Sequence, residues 1–336
     1  LIPADLYIVN TCAVTNEAER KSRQMVARIR KLNQKARIIF TGCAAERTPD
    51  LFLQRQNVQL VTGTAAKAKI LDLLEQCGKF VQEDKSQYEE LLPVKTLKSR
   101  TYIKIQDGCD NFCSYCIVPY VRGRERSRAS ARIIEEAREL KADGVKEIML
   151  LGQNVNSYGL DVEGELSFAQ LLSELDKVGI ERIRFMTSHP KDISDELIDV
   201  MASGKHICHA LHLPVQHGNN RILQSMNRRY TREKYLERVE AIRSKVPDIS
   251  LTTDLIVGYP GETEEEFEET CSLVEQVGYD SAFTFIYSPR VGTRAADMPD
   301  QIPEEVSSRR IQKLIALQKD VTHKRYANYI LSLIHI

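Results

Sequence analysis

From residue 101 onward, short apolar runs alternate along the chain with segments whose apolar residues recur at helical spacing. Each short run has the length and composition of a buried strand, and each longer segment has the period of an amphipathic helix. Several helical segments begin with Ser, Thr or Asn and end at Gly, which are common start and stop signals of helices. The predicted strands are TYIKI, KEIMLLG, ERIRFMT, HALHLPV, ISLTTDLIV and SAFTFIYS.

This alternation predicts a parallel α/β sheet whose strands are joined by right-handed helical crossovers. Six strand–helix units are too few to close an eight-stranded barrel, so we expect an open, TIM-like (β/α)6 partial barrel over residues 100–330. Ligands of such barrels bind at the C-terminal ends of the strands. We therefore expect the functional residues in the loops that follow the six runs.

A smaller, Rossmann-like α/β domain is predicted before the barrel, over residues 1–77. Residues 78–99 show neither the helical nor the strand period, so they are predicted to form a polar linker. The predicted strands of the smaller domain are DLYIVNTC, ARIIFTGC and VQLVTG, and its predicted helices are NEAERKSRQMVARIRKLN and AAKAKILDLLEQCG.

Composition adds limits on size, charge and location. A chain of 336 residues with 42% hydrophobic residues can bury the cores that two such domains need. The 47 basic and 47 acidic residues cancel, so any attraction to nucleic acid must come from a local patch. No apolar run approaches the length of a membrane span, and no charged-then-apolar leader opens the chain. The predicted location is therefore the cytoplasm.

Three of the eight cysteines lie close together in the sequence, at Cys109, Cys113 and Cys116. Eight cysteines are too sparse for a secreted disulfide scaffold, so the cluster indicates a metal site. Structural zinc is usually four-coordinate, and no second pair of Cys or His ligands stands nearby. Three thiolates suit an iron–sulfur cluster better, since they can hold three irons of a 4Fe–4S cube. Three buried cysteines without a metal are the less favoured alternative.

Arginines at alternating positions follow the cysteines. In an extended segment they would all turn to one side, where they could contact RNA phosphates or grip the carboxylate of a cofactor. A solvated face, partly neutralised by Glu125, is the alternative. Tyr120 and Tyr230 could stack on an unpaired base. The candidate arginines, including two from a later loop, are Arg122, Arg124, Arg126, Arg128, Arg228 and Arg229.

The spacing Cys-x3-Cys-x2-Cys after a first predicted strand resembles the signature of radical S-adenosylmethionine enzymes. The flanking segments resemble one family of these enzymes, the methylthiotransferases, over nearly the whole chain. The resemblance implies that Cys109, Cys113 and Cys116 are catalytic and hold a 4Fe–4S cluster whose open iron binds the methionyl group of S-adenosylmethionine. The segments that carry it are DGCDNFCSYCIVPYVRGRERSR, LLGQNVNSYG, RFMTSHP, LHLPVQHG, MNRRYT, DLIVGYPGE and FIYSPRVGTRAADM.

Two loops are then predicted to bind S-adenosylmethionine. The loop after the second strand would meet the methionyl amine, and the glycines of GYPGE after the fifth strand would let the backbone approach the adenine. Plain strand-to-helix turns are the alternative. His189, His212 and His217 are expected to pack against the cofactor or to hydrogen-bond to it. The candidate cofactor-binding residues are Gly152, Gln153, Asn154, Gly258, Gly261 and Glu262.

Cys12 and Cys43 end two predicted parallel strands, and neighbouring strands would bring them close together. In methylthiotransferases the corresponding cysteines, with a third that would precede residue 1 of this chain, hold an auxiliary 4Fe–4S cluster. The chain is therefore expected to be a fragment that lacks the start of its N-terminal domain and a C-terminal RNA-binding TRAM domain. Residues 331–336, LSLIHI, resemble a translated sequencing adapter and are expected to be a non-native tail.

The resemblance also implies a function on the anticodon arm of tRNA, with electrons from an external donor such as flavodoxin or ferredoxin. The barrel motifs are most similar to those of enzymes that add a methylthio group to C2 of N6-isopentenyladenosine at tRNA position 37. The N-terminal motifs are closer to enzymes that act on N6-threonylcarbamoyladenosine at the same position, which is the alternative substrate. A non-catalytic iron–sulfur module for RNA binding or electron transfer is the alternative from another functional class.

Overall fold

The computed structural model describes residues 1–13, 15–81, 85, 88 and 99–333. Within these residues the chain divides into two compact units. The first unit contains Leu1–Lys95, Gly108–Asp110 and Cys116–Arg126. The second unit contains Thr96–Asp107, Asn111–Tyr115 and Ser127–Ile336. The predicted domain boundaries at residues 77 and 100 stay predictions.

The described residues form strands, helices and short 3-10 turns, numbered in chain order. The strands are β1 Leu6–Thr11, β2 Arg37–Gly42, β3 Val58–Thr62, β4 Gly78–Phe80, β5 Arg100–Lys104, β6 Gln106–Asp107, β7 Arg126–Ser127, β8 Glu147–Leu151, β9 Arg182–Phe185, β10 Ala210–His212, β11 Ser250–Val257 and β12 Ser281–Ile286. The helices are α1 Asn16–Leu32, α2 Cys43–Arg47, α3 Pro49–Leu53, α4 Val118–Arg122, α5 Ser130–Ala142, α6 Phe168–Val178, α7 Asp195–Ser203, α8 Asn220–Ser225, α9 Arg232–Lys245, α10 Glu264–Val277 and α11 Glu304–Leu333. The 3-10 turns lie at Val155–Ser157, Pro190–Asp192 and Arg294–Asp297.

The first unit is built on a parallel sheet in the order β1-β2-β3-β4. Its central strand β2 is apolar and buried, with Ile38 and Phe40 fully inaccessible to solvent. Helix α1 begins where the Thr15 side chain accepts a hydrogen bond from the Ala18 amide, and its Ile29 packs into the same core. The predicted strands and the predicted first helix are therefore confirmed.

Two predictions for the first unit are wrong. The segment predicted as the helix AAKAKILDLLEQCG folds as consecutive turns, since most of its backbone hydrogen bonds run from residue i+3 to residue i. The side-chain amide of Gln59 holds the end of this segment by donating to the carbonyl oxygens of Leu74 and Gln76. Residues 78–80, assigned to the linker, form β4 because their backbone pairs with β3. Residues 82–84, 86, 87 and 89–98 of the linker lie outside the described residues.

The second unit contains all six strands predicted for the barrel. They form two three-stranded parallel sheets, β5-β8-β9 and β10-β11-β12. A parallel bridge between Ile183 and Ile207 joins β9 to the segment that precedes β10. The strands thus follow one another in chain order, each crossover carries a predicted helix, and one apolar core extends through the unit. This arrangement confirms the open (β/α)6 partial barrel.

The last helix runs further than expected. Helix α11 extends to Leu333, so residues 331–333 of the predicted non-native tail are helical, because the backbone continues the regular turns of the preceding residues. Residues 334–336 lie outside the described residues. Within the described part of the chain, no helix is long and apolar enough to cross a membrane.

Candidate active site

Of the three clustered cysteines, Cys113 is buried, while Cys109 and Cys116 are half-buried. The amide of Cys109 donates to the carbonyl oxygen of Gly123 at 3.2 Å. Gly108 precedes it with φ +80°, and a Cβ at this position would overlap the carbonyl oxygen of Arg124. Only glycine meets both conditions, so Gly108 sets the start of the cysteine loop. The sequence analysis did not single out this glycine.

The Cys113 side of the loop is fastened to the segment after α8. The side-chain amide of Asn227 donates to the carbonyl oxygens of Asn111 and Phe112, at 3.0 Å each. The amide of Ser114 donates to the carbonyl oxygen of Met226 at 3.1 Å. These bonds hold the backbone on both sides of Cys113.

Arg228 continues the same segment and is buried, with 4% of its surface exposed. Its Nη1 lies 3.5 Å from Sγ of Cys113, its Nη2 donates to the carbonyl oxygen of Pro214, and its Nε donates to the hydroxyl of Tyr230. Burial opposes its charge, but the neighbouring Tyr230, Tyr115 and Cys113 hold the pKa of Arg228 well above its usual value. A permanent cation therefore contacts one of the clustered sulfurs.

Among the described residues, no three side chains of His, Cys, Asp or Glu are already arranged as the ligands of a metal ion. The fit of Cys109, Cys113 and Cys116 to an iron–sulfur cluster therefore rests on the chemistry of the donor set. Three cysteine thiolates at this spacing are the ligands such clusters use, and the Arg228 guanidinium contacts the sulfur of Cys113 at 3.5 Å. The residues present fit the group.

The predicted ribbon of outward arginines after the cysteines is wrong. Arg122 is the last residue of α4, and Gly123, with φ +83°, ends that helix, so the segment is not extended. Arg126 is buried and donates to the carbonyl oxygens of Arg122 and Arg124. Arg128 is buried and pairs with Glu136. The buried guanidinium groups of Arg126 and Arg128 thus bind other residues of the protein and do not face outward towards RNA.

The loop after β8 is held by Gln106. The Gln106 Oε1 accepts from the Asn154 amide at 3.2 Å, and a Cβ on Gly152 would lie 3.0 Å from the same oxygen. The side-chain amide nitrogen of Asn154 donates to Asp192 at 2.7 Å, which joins this loop to the loop after β9. The predicted cofactor segment is therefore a fixed turn at the C-terminal end of a strand.

Within the part of the chain that the structure describes, buried polar atoms without a hydrogen-bond partner accumulate in these two loops. Buried polar groups in folded proteins are nearly always hydrogen-bonded, so a cluster of unpartnered ones indicates the place of a ligand. The buried side-chain atoms of these loops without a hydrogen-bond partner are Oε1 of Gln153, Oδ1 of Asn154, Oδ1 and Nδ2 of Asn156, Oγ of Ser188 and Nε2 of His189. The sequence analysis predicted Gln153 and Asn154 as binding residues, and it missed Asn156 and Ser188.

His189 is neutral in this site. Burial, together with the nearby Arg228 and Lys191, strongly lowers its pKa. Its Nδ1 accepts a hydrogen bond from the Lys191 amide at 3.3 Å, so the ring proton lies on Nε2. His189 therefore presents one unused hydrogen-bond donor, and its ring meets that of Tyr230 edge to face at 5.6 Å.

The acidic residue of the GYPGE segment, Glu262, is hydrogen-bonded inside the protein. Glu262 is fully buried and accepts from the Gly258 amide at 2.6 Å, and its carboxylate also pairs with His217 and Arg310. It was predicted to bind cofactor, but its carboxylate is occupied inside the protein, and His217 is withdrawn from the site with it. Gly258 and Gly261 have φ +72° and +75°, which glycine adopts without strain. The alternative of an internally held turn explains these three positions.

A basic cavity of about 440 Å³ opens beside Tyr230. Three of its four cations contact neighbouring carboxylates, since Lys191 pairs with Asp192 and two cations of α9 pair with acidic residues. Arg229 is exposed on the rim, where its backbone has φ +55°. The lining residues are Pro190, Lys191, Ile193, Arg229, Tyr230, Lys234, Tyr235, Glu237 and Arg238.

In the first unit, Cys12 and Cys43 follow two hydrogen-bonded neighbouring strands. Thr11 of β1 is in register with Gly42 of β2, so the two cysteines come next on adjacent strands. The Thr11 hydroxyl accepts from the amides of the two residues after Cys43, at 3.1 and 3.0 Å. Gly42 has φ +95°, and a Cβ there would lie 2.5 Å from the Thr11 carbonyl oxygen. The predicted placement of both cysteines at strand C-termini is confirmed.

Comparison with known proteins gives two family matches and a set of close relatives. The Radical SAM superfamily matches residues 103–274, and the Uncharacterized protein family UPF0004 matches residues 2–63. The tRNA-2-methylthio-N(6)-dimethylallyladenosine synthase of Carboxydothermus hydrogenoformans is 48% identical over 333 residues, which are 95% of this chain and 76% of that protein. The protein of the same name from Natranaerobius thermophilus is 48% identical over 336 residues, covering 96% of this chain and 74% of that protein.

Among solved structures, the radical S-adenosylmethionine methyltransferase TsrM from Kitasatospora setae matches with a TM-score of 0.66 and 16% identity. This match covers 87% of this chain and 64% of that chain. The cobalamin-dependent S-adenosylmethionine radical enzyme OxsB matches with a TM-score of 0.58 and 11% identity, covering 94% and 48% of the two chains. At these identities the likeness concerns the fold alone.

Proposed function

Because this chain belongs to the radical S-adenosylmethionine family of tRNA-2-methylthio-N6-dimethylallyladenosine synthases, we propose that its substrate is N6-isopentenyladenosine at position 37 of tRNA. The dimethylallyl group in the relatives' name is this isopentenyl substituent. The reaction replaces the hydrogen on C2 of the adenine by a methylthio group. The protein is thus an enzyme of the methylthiotransferase class.

A radical S-adenosylmethionine domain works with a 4Fe–4S cluster and S-adenosylmethionine. When bound, this pair supplies the one-electron chemistry that removes a hydrogen atom from an unactivated carbon. Cys109, Cys113 and Cys116 hold the cluster in our proposal. The observation that carries it is the contact of the buried Arg228 guanidinium with Sγ of Cys113 at 3.5 Å, in a loop that contains three cysteines.

The cofactor and the reacting base occupy the C-terminal ends of β8 and β9. The unpartnered polar atoms of Asn154, Asn156, Ser188 and His189 offer both donors and acceptors there. An adenine ring needs both kinds of group along its edge, and fixed partners orient it before the reaction. These residues bind and orient, and the neutral His189 adds a donor that carries no charge.

The contacts of the cations beside the loops that follow β9 and β10 favour the isopentenyl group over the threonylcarbamoyl group as the N6 substituent. A threonylcarbamoyl group brings a carboxylate, which needs a cation when it is removed from water. Arg221 is engaged by Glu266 through Nε and Nη2 and by the Gly261 carbonyl oxygen, and Lys191 pairs with Asp192. Arg221 and Lys191 are therefore already neutralised, and Arg229, exposed at the cavity beside Tyr230, is assigned to the tRNA phosphates, which makes the isopentenyl group the better fit.

An auxiliary cluster and the partners complete the proposal. Cys12 and Cys43, side by side at the ends of β1 and β2, supply ligands of a second 4Fe–4S cluster that provides the sulfur. The cations around the cavity beside Tyr230, Arg229 foremost, contact phosphates of the tRNA anticodon arm. The electron comes from an external donor such as flavodoxin or ferredoxin, and the reaction takes place in the cytoplasm with the tRNA.

Variants of the clustered cysteines test this function. After anaerobic reconstitution and reduction with dithionite, the unmodified protein should convert S-adenosylmethionine to 5′-deoxyadenosine, measured by liquid chromatography. Cys113→Ala should abolish the product and remove one cluster's share of iron and sulfide, whereas Cys208→Ala, a cysteine outside the cluster, should change neither. Undiminished 5′-deoxyadenosine formation by Cys113→Ala would exclude the assigned ligands.

A further inference from the structure

Arg228 is a buried cation whose polar partners include no carboxylate. Among the described residues, its three hydrogen-bond partners are the Pro214 carbonyl oxygen, the Tyr230 hydroxyl and Sγ of Cys113. Burying a guanidinium group without an anion is unfavourable, and buried arginines normally meet an acidic side chain. Arg310, equally buried in the same unit, does so with Glu262. Of its three partners, the Cys113 sulfur is the one that becomes an anion when it binds a metal.

The backbone around Arg228 is shaped for this contact. Asn227 and Arg229, on either side, have φ +59° and +55°, a left-handed conformation that residues other than glycine rarely adopt. The side-chain amide of Asn227 donates to the carbonyl oxygens of Asn111 and Phe112, so the residues before Cys113 are held next to Arg228. Such strain persists only where the surroundings hold it, and it is typical of functional sites.

We propose that Arg228 is a positioning residue that donates a hydrogen bond to the Cys113 thiolate and raises the reduction potential of the cluster held there. The inference rests on the proposed cluster at Cys109, Cys113 and Cys116. Reduction adds one negative charge to the cluster, and a cation at one of its sulfur ligands stabilises the reduced state more than the oxidised state. Arg228 thereby makes electron transfer from the external donor more favourable.

The reduction potential itself is the readout. In a Cys12→Ala, Cys43→Ala background only the proposed barrel cluster contributes, and its potential is measured by an anaerobic redox titration followed by electron paramagnetic resonance. Arg228→Gln should lower the potential by at least 59 mV, which is a tenfold change in the one-electron equilibrium. Arg228→Lys keeps the charge but cannot make all three hydrogen bonds, so its potential should lie between those of Arg228→Gln and the background protein.

Arg310→Gln is the matched control, since it removes an equally buried arginine that pairs with Glu262. It should lower the thermal midpoint and leave the potential unchanged. Equal potentials for the background protein and Arg228→Gln would overturn the inference. If Arg228→Gln does not take up iron, Arg228→Lys decides, and an unchanged potential there overturns it as well. Absence of a cluster from the background protein would instead count against the proposed ligands.

Discussion

At the scale of single residues, a few positions with no substitute fix the site. Gly108 needs both a left-handed backbone and the space of a missing Cβ, because the Arg124 carbonyl oxygen lies where that atom would be. Arg228 and Asn227 hold Cys113 by its sulfur and by its neighbours' carbonyl oxygens. The thiols supply the chemistry, and these three residues decide where the thiols are placed.

Gly108→Ala is expected to disturb the cysteine loop beyond the general effect of a left-handed alanine. The general effect is about 1 kcal/mol of unfolding free energy, and the overlap with Arg124 adds to it by displacing the backbone before Cys109. Gly144→Ala is the matched control, since Gly144 has φ +84° and no atom within 4 Å of the added Cβ. Iron content after reconstitution and urea unfolding measure both. Equal iron contents for the two variants would contradict the role given to Gly108.

Some residues of the site can be identified from the sequence, and others can be identified only from the fold. Cys109, Cys113 and Cys116 can be recognised from the sequence because their spacing is by itself typical of a cluster-binding loop. Arg128 and Glu262, predicted to contact RNA or a cofactor, pair with other buried residues in the structure, and a charged residue in a loop looks the same in the sequence in either case. Their partners, Glu136 and Arg310, are 8 and 48 residues away in the chain, and only the fold pairs them.

At the scale of elements, local signals predicted most of the barrel because five of its helices, α6 to α10, begin at a side-chain cap. Helix α10 shows this most fully. Its capping box joins Thr263 and Glu266 reciprocally, and Gly278 ends it with φ +60°. The segment after β3 has a helical period as well, but it folds as turns, and its Ile70, Leu73 and Leu74 pack in the cluster of Ile39 and Leu60. Period alone does not decide a short segment's structure.

The capping box of α10 offers a test at this scale. Thr263→Ala removes the acceptor of the Glu266 amide and should lower the free energy of unfolding by about 1 kcal/mol. Thr263→Ser keeps the hydroxyl and should stay within about 0.5 kcal/mol of the unmodified protein. Urea denaturation followed by circular dichroism gives both values. A Thr263→Ala variant as stable as Thr263→Ser would contradict the capping assignment.

At the scale of the whole molecule, the sequence predicted six strands in chain order, and within the described residues the C-terminal ends of β8 and β9 carry a cluster of unpartnered polar atoms. Parallel strands direct their following loops to one edge, so a motif found after each strand is enough to predict the site's location. The sequence motifs alone do not identify the substrate. It depends on whether Arg221 and Lys191 are available, and the side-chain contacts of the folded chain show them engaged with Glu266 and Asp192.

The most direct test of the account is the choice between two modified tRNAs. Protein that carries all three cysteine ligands of the proposed auxiliary cluster is reconstituted, reduced and incubated with S-adenosylmethionine and with tRNA that carries either N6-isopentenyladenosine or N6-threonylcarbamoyladenosine at position 37. The digested nucleosides are analysed by mass spectrometry. We expect a methylthio group on the isopentenyl nucleoside and none on the threonylcarbamoyl nucleoside. Methylthiolation of the threonylcarbamoyl nucleoside alone would contradict the proposed function.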